Sequence, residues 1–180
     1  MDLTKLLQNI RETHQWFSKQ AARQINTALT LRNWVIGMYL FEYEQKGEDR
    51  AQYGDRLYDE ISNRLKNNGI KGAGKRNLYL FKDLYLAYPQ IVQTVSAQFK
   101  TPDLRLYSLA KQDHLLPMRQ PGSSIETDPE ILVNRLAFSH FIELLQCDTA
   151  LKRAFYETET LVNNWSVREL RRAIVPPPQI

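Results

Sequence analysis

From Leu3 to Glu44 the apolar residues Leu3, Leu7, Ile10, Phe17, Ala21, Ile25, Ala28, Leu29 and the group from Trp34 to Leu40 recur mostly at steps of three and four, with no proline among them. That spacing is the period of an amphipathic helix and excludes a strand-built start to the chain. The span exceeds typical globular helices, so the expectation is two helices, or one long helix kinked around Thr27 to Thr30 or at Gly37.

The rest of the chain reads in shorter units. Gln45 to Gly54 is polar, contains two glycines and reads as a loop. Asp55 can cap a helix to about Asn67, with Leu57, Ile61 and Leu65 on one stripe. Asn68 to Gly74 holds three glycines, which permit the positive φ of a tight turn. A second helix opens near Lys75, buries Leu78, Phe81, Tyr85 and Tyr88, and ends before Pro89. Shorter helical patterns follow at Ile91 to Phe99 and Leu104 to Lys111, then an irregular stretch from 112 to 128. Asp128-Pro129 opens a helix through about Gln146. Asp148 can cap the next, with Leu151, Phe155, Thr158 and Val162 facing inward. Ser166 and Glu169 form a capping box flanked by a Trp165/Leu170 staple, and the helix stops at Pro176 to Pro178. Nothing alternates as a strand would, so the expected fold class is all-α.

Composition narrows the function. In 180 residues there is one cysteine, Cys147. A disulfide framework is excluded, and one thiol with three scattered histidines fits no structural zinc site. The longest apolar run, Trp34 to Phe41, is far below the roughly 20 residues needed to cross a bilayer. A soluble, cytoplasmic protein without metal or cofactor is expected. The net charge of +4 is unevenly spread. Arg64, Lys66, Lys71, Lys75, Arg76 and Lys82 occur with no acid between them. Such a patch can neutralise phosphates, although a solvated helix face gives the same pattern.

Two helices joined by a glycine turn, about residues 55 to 88, have the layout of a helix-turn-helix. Lys75 and Arg76 sit where long cations reach phosphate or guanine, Asn77 could pair with an adenine edge, and Tyr79 and Lys82 lie one and two turns on. Lys71 and the turn amides could hold a phosphate. Arg168, Arg171 and Arg172 offer a second cationic ridge, or simply charge suited to a helix C-terminus. Ser139-His140 is no catalytic pair, because adjacent helical residues point about 100° apart and no acid orients the histidine; His140 reads as structural. Trp16, Trp34 and Trp165 read as core anchors, and Cys147 as an inert thiol.

The segments Ala28 to Gln45, Asn68 to Pro89, Leu136 to Gln146 and Arg153 to Ile174 together resemble the N-terminal domain of the bacterial YhcG family. That resemblance implies a helical domain with a helix-turn-helix, usually followed by a nuclease domain of the PD-D/E-x-K type. It implies DNA binding coupled to nuclease activity in mobile-element, restriction or phage-defence settings. The chain departs from the family at Gly74, where a small hydroxyl-bearing cap is common, and from Lys100 to Asp128, which looks longer. A nuclease core of that type needs its acids in a set order with a nearby lysine. The only E-x-K here, Glu44 to Lys46, lies on a helical stretch and precedes the only Pro-Asp pair, Pro102-Asp103.

The expectation is therefore a non-catalytic domain, residues 1 to 175, with a proline-rich linker starting at 176 to 180. It would bring an attached or partner nuclease to double-stranded DNA, with pairing of two copies across two half-sites a further expectation. The alternative is a protein interaction or dimerisation domain that regulates the nuclease.

Overall fold

A computed structural model describes residues 3–46, 54–98 and 127–175, and among them all regular structure is helical. The elements are α1 (Leu3–Lys46), α2 (Gly54–Asn67), α3 (Lys75–Ala87), a 3-10 turn (Pro89–Ile91), α4 (Val92–Gln98), α5 (Pro129–Arg135), α6 (Phe138–Leu144), α7 (Ala150–Asn163) and α8 (Val167–Ile174). None is long and apolar enough to cross a membrane. The expected helix at Leu104 to Lys111, most of the 112 to 128 stretch, most of the Gln45 to Gly54 loop and the proline linker lie outside the described residues.

α1 is one unbroken helix, and only its second half enters the core. Thr27, Thr30, Leu31, Trp34 and Met38 are buried, whereas 3 to 26 are exposed apart from half-buried Gln20. Gly37 has a packing role. A Cβ built there would stand 2.0 Å from the Phe81 carbonyl oxygen, so its missing side chain lets the α1 and α3 backbones touch. Trp34 pins the same pair, donating Nε1–H to the Tyr88 carbonyl at 2.9 Å and meeting Tyr85 edge to face at 5.1 Å.

α3 buries Leu78, Phe81, Leu84 and Tyr85, the expected stripe with Leu84 added, and Tyr88 at its end is buried as well. Leu40, Tyr58, Ala73, Leu78 and Phe81 form one apolar cluster under α2. A larger cluster joins Trp34, Tyr88, Ile91, Leu132, Phe141, Leu144 and Leu170. α5 docks on α1, where the Thr27 hydroxyl bonds the Val133 carbonyl oxygen at 3.0 Å.

Four local expectations are corrected. The α2 helix begins at Gly54, so Asp55 lies inside its first turn. The single helix expected from Pro129 to Gln146 is two. Leu136 and Ala137 take extended backbone between α5 and α6, which buries Leu136 and frees the Ala137 N–H to donate to His140 Nδ1 at 3.2 Å. The cap of α7 is Thr149, whose hydroxyl accepts from Lys152 N; Asp148 instead pairs with the Lys152 ammonium at 3.6 Å. The stripe expected to face inward on α7 faces out: Leu151, Phe155 and Val162 are 76%, 57% and 69% exposed. The helix buries Glu157, Thr160 and Leu161. At α8 the Ser166/Glu169 capping box forms as expected.

Candidate nucleic-acid interface

The connection between α2 and α3 runs from Asn68 to Gly74. It begins as a helix C-terminal motif, with Gly69 N donating to Lys66 O at 3.0 Å and Ile70 N to Leu65 O at 2.9 Å. Gly69 and Gly72 have φ of 76° and 79°, the left-handed region where a Cβ is unfavourable. Gly74 is the N-cap of α3 in extended conformation and gives no side-chain cap. The place its Cβ would take is open, with no heavy atom within 4 Å beyond its chain neighbours. A helix start without a side-chain cap keeps the positive end of its dipole unneutralised by its own N-cap residue.

Lys71 and Arg76 are exposed beside that helix start. Arg32 joins them from α1, its Nη2 3.7 Å from the position a Gly72 Cβ would take. Sequence reasoning missed Arg32, because only the packing of α1 along α3 brings it to the turn. Its guanidinium also donates to Asn33 Oδ1, from Nε at 3.1 Å and Nη2 at 2.8 Å. Asn77 spends an amide N–H on the turn itself, donating Nδ2–H to the Gly72 carbonyl at 2.9 Å.

Lys75, Tyr79 and Lys82 share a side, as their spacing implies, and that side meets α2 and the end of α1. Lys75 pairs with Asp59 at 2.8 Å, its side chain 36% exposed. Tyr79 stacks on Tyr58, centroids 4.0 Å apart and planes within 8°. Lys82, 20% exposed, bonds both Glu44 oxygens at 3.2 and 3.1 Å and lies over the Tyr58 and Tyr79 rings at 5.4 and 5.7 Å. Tyr58 donates its hydroxyl to Glu44 Oε1 at 2.7 Å. Burial, then the Glu44 carboxylate, pushes the Tyr58 phenol far above its ordinary value. Glu44, the acid of the E-x-K triplet, is thus an acceptor that ties three helices together.

The second ridge divides. Arg168 and Arg172 are exposed on α8, whereas Arg171 donates to Glu143 Oε1 at 2.6 Å, a carboxylate only 4% exposed. α8 packs on α6 and α7, apart from the α2–α3 turn. Elsewhere, His140 accepts at Nδ1 from Ala137 and bonds the Trp165 carbonyl through Nε2 at 3.1 Å. It is a structural residue, and burial lowers its pKa from the ordinary histidine value. Cys147 is buried and free, its thiol raised by that burial. Trp34 anchors the core and Trp165 packs against it; Trp16 is exposed on α1, which corrects its expected role. No three His, Cys, Asp or Glu side chains among the described residues gather as metal ligands.

An all-helical domain with a cationic helix start matches a known family. The chain matches the DUF1016 N-terminal domain over residues 8–176 and belongs to that family. It is also similar to the protein named "Putative nuclease YhcG" of Escherichia coli (strain K12), 31% identical over 163 residues that cover 86% of this chain and 40% of that protein. The YhcG-family resemblance seen in the sequence is borne out, and the chain spans about two-fifths of the length of that curated relative. No solved structure matches.

Proposed function

We propose that this domain binds double-stranded DNA without cutting it and brings a nuclease, attached or partnered, to its substrate. The observation that carries the reading is the helix start at Gly74. Gly74 gives that start no side-chain cap, Lys71 and Arg76 are exposed beside it, and Arg32 reaches the same turn. Backbone amides at a helix N-terminus together with flexible cations are a chemistry suited to phosphate. Lys71, Arg76 and Arg32 grip the backbone in this reading. Lys75 and Asn77 sit at the rim, where exchanging an exposed ion pair or turn bond for a DNA contact costs little. Tyr79 and Lys82 brace α3 against α2. Arg168 and Arg172 supply a second contact only on a duplex long enough to reach α8. The relative's printed name, a nuclease, supports the coupling to cleavage.

The test is fluorescence anisotropy with a labelled 30-base-pair duplex, for the wild type and for Lys71→Ala combined with Arg76→Ala. Wild-type binding that weakens at least tenfold in the double variant supports the proposal; equal binding by both chains contradicts it.

A second reading has its own observation. Leu151, Phe155 and Val162 form an exposed apolar stripe on α7, a feature more typical of a protein interface than of a solvated helix. In that reading α7 docks the nuclease portion and holds it in check. Phe155→Glu would then release nuclease activity in the longer protein without changing duplex affinity.

A further inference from the structure

The first half of α1 keeps its apolar side chains on the outside of the molecule. From Leu3 to Asn26 only Gln20 is even half-buried, and Leu3, Leu7, Ile10, Phe17 and Ile25 are each more than half exposed. Contiguous apolar side chains left on the outside of a helix mark a surface for a partner.

Its sequence specifies the kind of partner. Leu3, Leu7, Ile10, His14, Phe17 and Ala21 follow alternating steps of four and three, the core positions of a coiled coil. Lys5, Glu12 and Lys19 recur at intervals of seven on the opposite side. Three successive core pairs are thus filled, with the charged residues held on the outer face. This stripe does not simply continue the core face of α1: at 100° per residue it lies roughly 110° around the helix from the stripe of Thr27, Leu31, Trp34 and Met38 that the domain buries.

We propose that this segment is a parallel coiled-coil arm that pairs with the same segment of a second copy of this chain. Self-pairing in register places Leu3, Leu7, Ile10, Phe17 and Ala21 each against its own copy. The one polar core layer, His14, falls between Ile10 and Phe17 and fixes the register, since any slip sets an imidazole against an apolar side chain. Charge permits the arrangement. The flanking pairs across a parallel seam are Leu6 with Arg11, Thr13 with Ser18 and Gln20 with Ile25, so no two like charges oppose each other. The area is sufficient as well. A helix about 36 Å long and 10–12 Å across has roughly 1,500 Å² of accessible surface. A partner covering somewhat under half of it buries on the order of 650 Å² per chain, within the range of stable interfaces. The pairing does not depend on DNA binding, and either can fail without the other.

Sedimentation equilibrium of the full 180-residue chain tests it, with circular dichroism to show that each variant stays folded. The wild type is expected at twice the 21.1 kDa chain mass, and Leu7→Glu with Phe17→Glu at the single-chain mass with its thermal transition retained. Phe155→Glu, on α7, leaves the dimer intact. In Ile10→Cys, mild oxidation at low protein concentration links two chains through residue 10 much faster than in the same variant carrying Leu7→Glu and Phe17→Glu, as a parallel, in-register seam requires. A monomeric wild type, a double variant that remains dimeric, a Phe155→Glu chain that becomes monomeric, or an Ile10→Cys chain that cross-links no faster than the same chain with both glutamates would each overturn the proposal.

Discussion

In α3 the apolar stripe Leu78, Phe81 and Tyr85 turns into the core, while in α7 the equally regular stripe Leu151, Phe155 and Val162 turns to solvent. Both satisfy the same periodicity rule, and the difference lies in what waits on the other side. α3 meets the one stretch of α1 where Gly37 lets backbones touch, so its large side chains have a seat. α7 meets Tyr88, which it covers with Arg153 at 5.6 Å from the ring centroid and with Glu157, and it sends Leu161 into the core. Periodicity identifies an amphipathic helix; the partner decides which face is buried. An apolar face left outside is then a question about binding, not about folding.

The contrast can be broken most severely at Gly37. Gly37→Ala drives a Cβ against the Phe81 carbonyl and should cost at least about 3 kcal/mol, or prevent folding; a urea midpoint close to wild type would show that α1 and α3 do not meet there. The paired test is Phe81→Ala against Phe155→Ala. The first should cost roughly 3–5 kcal/mol by leaving a core cavity, the second within about 0.5 kcal/mol of zero. Comparable losses would mean that α7 buries the face carrying Phe155. Ser166→Ala should remove about 1 kcal/mol, the ordinary worth of an N-cap, and a null effect would detach the α8 start from its capping box.

The smallest effects are protonic, and the two groups have opposite signs. Burial lowers the pKa of His140 below 6.5, so its contribution is present above that value and is lost as pH falls. Burial raises that of Glu157 above 4.5, so its contribution is full below 4.5 and is lost as pH rises. Glu157→Gln should therefore gain stability relative to wild type as pH climbs from about 5 to 8, and His140→Asn should flatten the loss on the acid side. Melting curves across that range check both; a Glu157→Gln advantage that shrinks with rising pH would contradict the buried carboxyl.

Helix existence was largely legible from residues, and helix context was not. The three- and four-step spacing located α1, α2, α3, α7 and α8, and Ser166-Val-Arg-Glu169 fixed the α8 start because a capping box is a local bond between neighbours in sequence. The break at Leu136-Ala137 has no proline or glycine to announce it, and its cause is tertiary, the burial of Leu136 with His140 bonded to the freed amide. The candidate site shows the same limit. The glycines of the turn and its exposed Lys71 and Arg76 could be read from the sequence. That Lys82 and Lys75 would meet Glu44 and Asp59, and that Arg32 would arrive from α1, depends on helices far apart in the chain.

The most direct test of the DNA-binding reading is the salt dependence of duplex affinity, measured from about 50 to 300 mM salt for wild type and for Lys71→Ala with Arg76→Ala. Log affinity should fall steeply with log salt, and the double variant should shallow that slope by about 2, one phosphate contact per cation removed. A duplex affinity indifferent to salt, or a slope the two substitutions leave unchanged, would contradict a phosphate-gripping face at the start of α3.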